Sequence, residues 1–289
     1  MNIGIVGLGL IGGSLGRSII KNTSHAVFGF DRDEGAMIKA EMLQAINEHL
    51  TDGKVKELDL LILALPLNAT LKALDYYVPL LKSGSCVIDC CGNKKRVCDK
   101  MEELQKIYPD VSFVGVHPMA GREFSGISHS TATLFEKSYI IFTPVHTPIE
   151  VLDGLKKLFL SLKVEGVVMS NPTLHDEIIA YTSQLAHVVS AAYVKSPNAE
   201  RHVGYSAGSF KDMTRVAKLE PNMWTELFLD NRDNLLREID ILLKNIKDIR
   251  DAIESGSEER LKELLTESAE RKERVEQLRR MGLNEKSKS

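Results

Sequence analysis

The sequence predicts an α/β protein in two parts, a doubly wound parallel sheet over residues 1–168 and an all-helical domain over residues 169–289. Three observations predict it. Short β-branched apolar runs alternate with amphipathic segments through the first part, the pattern of a parallel sheet covered by helices on both faces. A glycine-rich turn follows the first of those runs directly. After Ser170-Asn171-Pro172 the runs stop, and helical periodicity continues through residue 250. A chain of 289 residues is long enough to bury two cores.

The expected strands run from Ile3 to Val6, Val27 to Phe30, Leu60 to Leu63, Cys86 to Ile88, Phe113 to Val116 and Tyr139 to Phe142. Between them, helices are expected from near Leu10 to Asn22-Thr23, then over Asp33 to Leu43, Asn68 to Leu81 and Lys95 to Ile107. Tyr108-Pro109-Asp110 halts the last. In the second part, Ser170-Asn171-Pro172-Thr173 starts a helix. The stretch Leu174 to Lys195 is apolar round much of its circumference, which suits burial in a bundle or a dimer interface. Residues 251–289 alternate Glu, Lys and Arg with sparse leucines at Leu261, Leu264, Leu265 and Leu278, as in a solvated helix or a partner-binding one.

Charge and composition remove several functions. With 37 Lys+Arg against 40 Asp+Glu the net charge is -3, and no segment carries the one-sided basic stripe that tracks a phosphate backbone, so no nucleic-acid partner is expected. The chain starts on a strand-like run without a basic region or cleavage site, and no apolar stretch nears the roughly 20 residues that span a bilayer, so a cytoplasmic protein is expected. Cys86, Cys90, Cys91 and Cys98 crowd together without paired CxxC spacing or neighbouring histidines. They read as reduced, packed thiols, and no metal site is expected.

Gly7-Leu8-Gly9-Leu10-Ile11-Gly12 lies between the first strand and the first helix, the context that a dinucleotide-binding G-x-G-x-x-G requires. Gly7 serves the tight turn, Gly9 lets backbone N–H groups approach a pyrophosphate, and Gly12 allows close helix packing at the positive end of the helix. The first part is therefore expected to be a Rossmann-type domain. Asp31 ends the second strand about 20 residues on, where a carboxylate binds ribose hydroxyls and repels a 2′-phosphate. NAD is the expected cofactor. Arg32 has two readings, stacking on adenine or pairing with a 2′-phosphate. Leu65 and Pro66 turn the chain across the carboxyl edge of the sheet and are expected beside the cofactor.

The fifth expected strand runs into His117-Pro118-Met119-Ala120-Gly121-Arg122-Glu123-Phe124-Ser125-Gly126. This stretch resembles the H-P-M-A-G-x-E-x-S-G motif of the prephenate/arogenate dehydrogenase family at every fixed position. His175-Asp176 with Ala180, Ser183, Leu185 and His187 follows in the family's order, and then Gly208 to Arg215 with Trp224, similar to G-x-F-[RK]-D-x-T-R and its downstream tryptophan. The likeness covers roughly residues 1 to 245.

The resemblance implies NAD-dependent oxidative decarboxylation of prephenate to 4-hydroxyphenylpyruvate on the route to tyrosine, by a homodimer joined through the helical domains. It implies His117 as general base and Arg215 as the fork for a substrate carboxylate, with pairing to Asp212 as the structural alternative. Glu123 matches an acidic position at the pocket mouth or is a surface helix cap. His187 contacts the substrate side chain or is a core histidine, and Trp224 packs beneath Arg215. Two positions depart from the pattern. D-x-G-S-V-K reads Asp89-Cys90-Cys91-Gly92-Asn93-Lys94, so that water or Asn93 has to serve where the family has a serine. S-H-L-P-H reads Ser183-Gln184-Leu185-Ala186-His187, so that Gln184 offers a substrate carboxylate an uncharged amide. Lys94 is assigned to the phosphates, the nicotinamide side or the substrate.

Three alternatives stand beside this reading. Arogenate dehydrogenase carries out the same reaction on a substrate with an ammonium in place of the keto oxygen. A non-catalytic dinucleotide-binding regulator keeps the fold only. Another hydroxyacid dehydrogenase of similar build uses a helical-domain lysine, for which Lys195 and Lys211 are the candidates.

Overall fold

Residues 1–121 and 124–286 are described by a computed structural model of the chain. They form two compact units, residues 1–235 and the stretch from Leu236 onward. In the first, β1 (Asn2–Val6), α1 (Leu10–Asn22), β2 (Ala26–Phe30), α2 (Glu34–Met42), β3 (Glu48–His49), α3 (Asp52–Val55), β4 (Leu60–Leu63), α4 (Leu67–Tyr77), β5 (Cys86–Asp89), α5 (Lys95–Ile107) and β6 (Ser112–Pro118) alternate. Then come β7 (Tyr139–Val145), α6 (Ile149–Ser161) and β8 (Gly166–Met169). The eight strands form one sheet in the order β3-β2-β1-β4-β5-β6-β7-β8.

Period-two alternation sends the apolar runs to both faces of the sheet. Ile3, Ile5, Leu60, Ile62, Ile88 and Val114 face one core with Leu15, Ile19 and Phe159. Val6, Leu61, Leu63, Val87 and Phe113 face the other with Leu74, Val97 and Met101. The switch of strand order lies between β1 and β4, and the carboxyl ends of β1, β2, β4, β5 and β6 share one edge.

The sheet departs from the expected parallel one at a single pairing, beyond which both β7 and β8 run the other way. β7 runs antiparallel to β6, with His117 opposite Ile141. Among the described residues of 119–138 the link carries only a 3-10 turn at Ile127–His129, so the crossover helix that a parallel return needs is missing. Two short edge strands lack the sequence signal. β3 is two exposed residues, and β8 is partly open to solvent, so neither forms a fully buried apolar run. α4 ends at Tyr77 rather than Leu81, because Pro79 has no N–H to continue it and the chain tightens into a 3-10 turn over Val78–Leu80.

The helical stretch starts with α7 (Pro172–Ile179), capped by the Asn171 side chain on Leu174 N–H at 2.9 Å. A π-turn over Ala180–Leu185 leads into α8 (Ala186–Tyr193). α9 (Gly208–Thr214), α10 (Pro221–Asp230), α11 (Arg232–Glu254) and α12 (Glu258–Lys286) follow. Strand-forming chain thus ends at Met169. Among the described residues no helix is long and apolar enough to cross a membrane, and no cluster of His, Cys, Asp or Glu is arranged to hold a metal. Cys86, Cys91 and Cys98 are buried free thiols, and burial pushes Cys86 and Cys98 up to about 12.

Candidate active site

The cofactor cradle is a matter of backbone. Gly7 holds φ +91 at the end of β1, and a Cβ there would stand 2.4 Å from the Ala64 carbonyl. At Gly12 a Cβ would stand 1.8 Å from the Gly7 carbonyl, which no side chain tolerates. Gly9 is the opposite case. It precedes α1 without a side-chain cap, and nothing lies within 4 Å of where its Cβ would be. That open space at a helix N-terminus fits a pyrophosphate. Leu10 and Ile11 are partly exposed at the start of α1, whereas the Leu8 side chain is fully buried and contributes to the core.

Asp31 sits at the carboxyl end of β2. One carboxylate oxygen accepts the Leu8 N–H at 2.7 Å and the other the Asp33 N–H at 3.0 Å, which fixes the side chain beside the glycine turn. Arg32 is exposed next to it. Leu65 leans on Gly7, its Cδ2 2.8 Å from an added Cβ, and Pro66 is exposed ahead of α4. The dinucleotide-binding candidates therefore gather on one edge.

His117 lies at the end of β6 on the same edge and is partly open to solvent. Its Nδ1 is 2.9 Å from His175 Nε2, and His175 Nδ1 donates to Asp176 at 2.7 Å. His117 is held well below the ordinary histidine pKa, first by burial, then by the charge of Lys94 and by His175. It is neutral at physiological pH, the state in which an imidazole accepts a proton.

Lys94 is bound inside the fold. Its side chain is fully buried, its ammonium donates to Asp89 and to the Val116 carbonyl at 2.8 Å, and the Asp89 carboxylate accepts the N–H groups of Cys91 and Val116. Burial alone would lower the Lys94 pKa. The Asp89 carboxylate outweighs it and leaves the net shift upward. The pair ties the β5–α5 turn to the strand that carries His117.

Asn93 does not stand in for a serine beside His117. Its amide donates to the Leu227 carbonyl at 2.9 Å and to Asp230 at 3.0 Å, and its oxygen accepts from Gln184 at 2.9 Å. A side chain at Gly92 would meet Leu227 Cδ2 at 3.1 Å, so α10 occupies that space. Gln184 is 2% exposed, and its oxygen accepts from Asn231 at 2.9 Å. Both ends of the Gln184 amide are therefore engaged by neighbouring side chains. Asn231 also donates to the Asp176 carbonyl at 2.8 Å.

His187 lies on the same helical stretch as His175, 12 positions on. A regular α-helix turns about 100° per residue, so 12 residues would set the two rings about 120° apart. The π-turn absorbs one extra residue and brings the offset to about 20°, onto one face. His187 Nδ1 donates to the Ser183 carbonyl at 2.8 Å, and its ring lies 3.9 Å from that of Trp224. Burial lowers its pKa, the Ser183 bond opposes that, and the charge of Arg215 adds to the lowering. Trp224 packs on His187 and Phe228, and Arg215 is exposed at the end of α9. Among the described ion pairs none joins Arg215 to Asp212. Glu123 lies outside the described residues.

The sequence marked His175 and Asp176 only as matches to a motif. Their local signal is a polar pair on the buried face of an otherwise apolar helix. Asn231 had no such signal, since its partners are distant in sequence, and Asp89 and Lys94, only five positions apart, had none because nothing local shows that both are buried.

Residues 15–168 match the family model for the nucleotide-binding domain of prephenate dehydrogenase, and residues 171–267 the model for its dimerization domain. The chain is 31% identical over 270 residues to the prephenate dehydrogenase of Bacillus subtilis, spanning 89% of this chain and 71% of that one. To the cyclohexadienyl dehydrogenase of Zymomonas mobilis it is 32% identical over 279 residues, 92% and 93% of the two chains. A solved prephenate dehydrogenase from A. aeolicus, in complex with hydroxyphenyl propionate and NAD+, has a TM-score of 0.82 at 28% identity, with 95% of this chain and 98% of that one covered. With a glycine turn at an open helix N-terminus, a fixed carboxylate at the end of the next strand and a neutral histidine on one sheet edge, this chain belongs to the prephenate dehydrogenase family, the NAD-dependent dehydrogenases of prephenate, arogenate and cyclohexadienyl type.

Proposed function

We propose that the chain oxidises and decarboxylates prephenate to 4-hydroxyphenylpyruvate. The observation that carries this reading is the neutral His117, whose Nδ1 is taken by His175 and whose Nε2 is left for a substrate hydroxyl. NAD, when bound on the glycine turn, supplies the hydride acceptor. His117 Nε2 takes the proton of the ring hydroxyl as the carbonyl forms. Loss of the ring carboxylate as carbon dioxide then gives the aromatic product, so the protein's work is to bind, orient and deprotonate.

Arg215 and His187 form the substrate side of the site in this proposal. The guanidinium holds a carboxylate, and neutral His187, stacked on Trp224, offers Nε2 to the side chain. Glu123 is assigned to the pocket mouth. We also assign a domain boundary at 168/169, a cytoplasmic location and a homodimer. Leu174, Ile178 and Tyr181 support the dimer, as an exposed apolar stripe turned away from the buried side of α7 within the matched dimerization region. Light scattering on the purified protein at the monomer mass would overturn that assignment.

The test is NADH formation with prephenate and with arogenate, repeated with NADP and with His117→Asn. Turnover of prephenate with NAD, lost in the variant, is expected. Preference for arogenate would move the substrate assignment to the amino form, and turnover of neither would overturn the reading.

A further inference from the structure

The carboxylate of Asp176 has two employments at once. Buried in the middle of α7, it accepts the Lys94 N–H at 2.7 Å and the Lys95 N–H at 2.9 Å, and so caps the N-terminus of α5. The oxygen that takes Lys94 N–H also takes the ring N–H of His175 at 2.7 Å. Asn231 grips the Asp176 carbonyl at 2.8 Å and Gln184 at 2.9 Å, so the turn cannot swing.

This arrangement dictates protons. A carboxylate only accepts, so His175 carries its proton on Nδ1 and presents a bare Nε2. The 2.9 Å contact to His117 Nδ1 then needs a proton on His117. A neutral imidazole has one proton, which leaves Nε2 of His117 as its only basic nitrogen. The charged or titratable groups facing His117 among the described residues are Lys94, held to Asp89 from the β5–α5 side, and His175 with Asp176 from α7.

We propose that His175 and Asp176 are positioning residues that select the working tautomer of His117, so that one carboxylate both caps α5 and orients the base. No proton travels along the chain. One proton moves from the substrate hydroxyl to His117 Nε2, while the Nδ1–H bonds of both rings stay intact. The resulting imidazolium is stabilised by the Asp176 charge one ring away.

The turnover arm of the test rests on the prephenate reading, and the spectroscopic arm does not. Full-length protein carrying His175→Phe keeps a ring of similar size and loses the acceptor, whereas His175→Gln keeps an acceptor. For His175→Phe, kcat is expected to fall by about 100-fold or more, with KM and NAD affinity little changed and His175→Gln recovering most of the loss. Asp176→Asn is expected to move the acid limb of kcat to lower pH, because an opposite charge near the base is gone.

Nitrogen-15 NMR of histidine-labelled protein without substrate should find His117 protonated on Nδ1, and on Nε2 in part or whole in His175→Phe. Wild-type His117 protonated on Nε2, or kcat of His175→Phe falling only as its folded fraction falls, would overturn the proposal. Failure of wild-type protein to oxidise prephenate, with the Nδ1 tautomer present, would overturn the substrate reading and leave the positioning pair standing.

Discussion

The glycine-turn side of the sheet edge is made of backbone, and the histidine side is made of side chains reaching across the chain. Gly7, Gly9 and Gly12 act by having nothing beyond Cα, within six consecutive positions. His117, His175, Asp176, Lys94, Asp89, Asn93, Gln184 and Asn231 act by bonding one another over separations of up to 91 positions. The first kind of site fails by steric exclusion, and the second fails by leaving a buried polar group alone.

The largest effect is expected on the backbone side. Gly12→Val places carbon against the Gly7 carbonyl where even a Cβ stands at 1.8 Å, so soluble folded protein or NAD binding should be lost outright. Retention of both by calorimetry would break the contrast. On the other side, Lys94→Met leaves the Asp89 carboxylate buried without its cation. A loss of about 3–5 kcal/mol in denaturant unfolding is expected. Asn231→Ala removes a donor shared by Asp176 and Gln184 and should cost about 1–3 kcal/mol, with kcat lowered more than NAD affinity.

The smallest effect is in pH. His117 has a folded pKa well below 6.5, so its neutral form persists as pH falls past 6.5, and kcat/KM should hold there and drop only at more acid pH. The unfolded chain binds that proton first, so the stability contributed by His117 is complete above pH 6.5 and is lost as pH falls through the folded pKa. An acid limb of kcat/KM above pH 6.5 would contradict the burial of this ring.

The same division explains what the sequence revealed. Strands with both faces buried were readable because Leu60 to Leu63 and Phe113 to Val116 are apolar without a break. β3 and β8 were not, since an edge strand needs neither length nor apolarity. The glycine turn announces itself because its constraint is local. Lys94 was visible as a residue, yet its partner and burial were not, because a lysine is read as a surface charge until a carboxylate is known to lie beneath it. Gln184 was read as a group for a ligand. Its amide is used inside the fold, by Asn93 and Asn231, neither of which is near it in sequence.

The π-turn over Ala180–Leu185 makes chain length itself part of the chemistry. Straightening it into a regular helix at constant length would swing everything downstream by about 100°, carrying His187 off the face it shares with His175, whereas deleting one residue as the turn closes would leave that face in register. Loss of the one extra residue should therefore be tolerated far better than substitutions that straighten the turn at constant length, so a one-residue gap here is compatible with a working version of this helix.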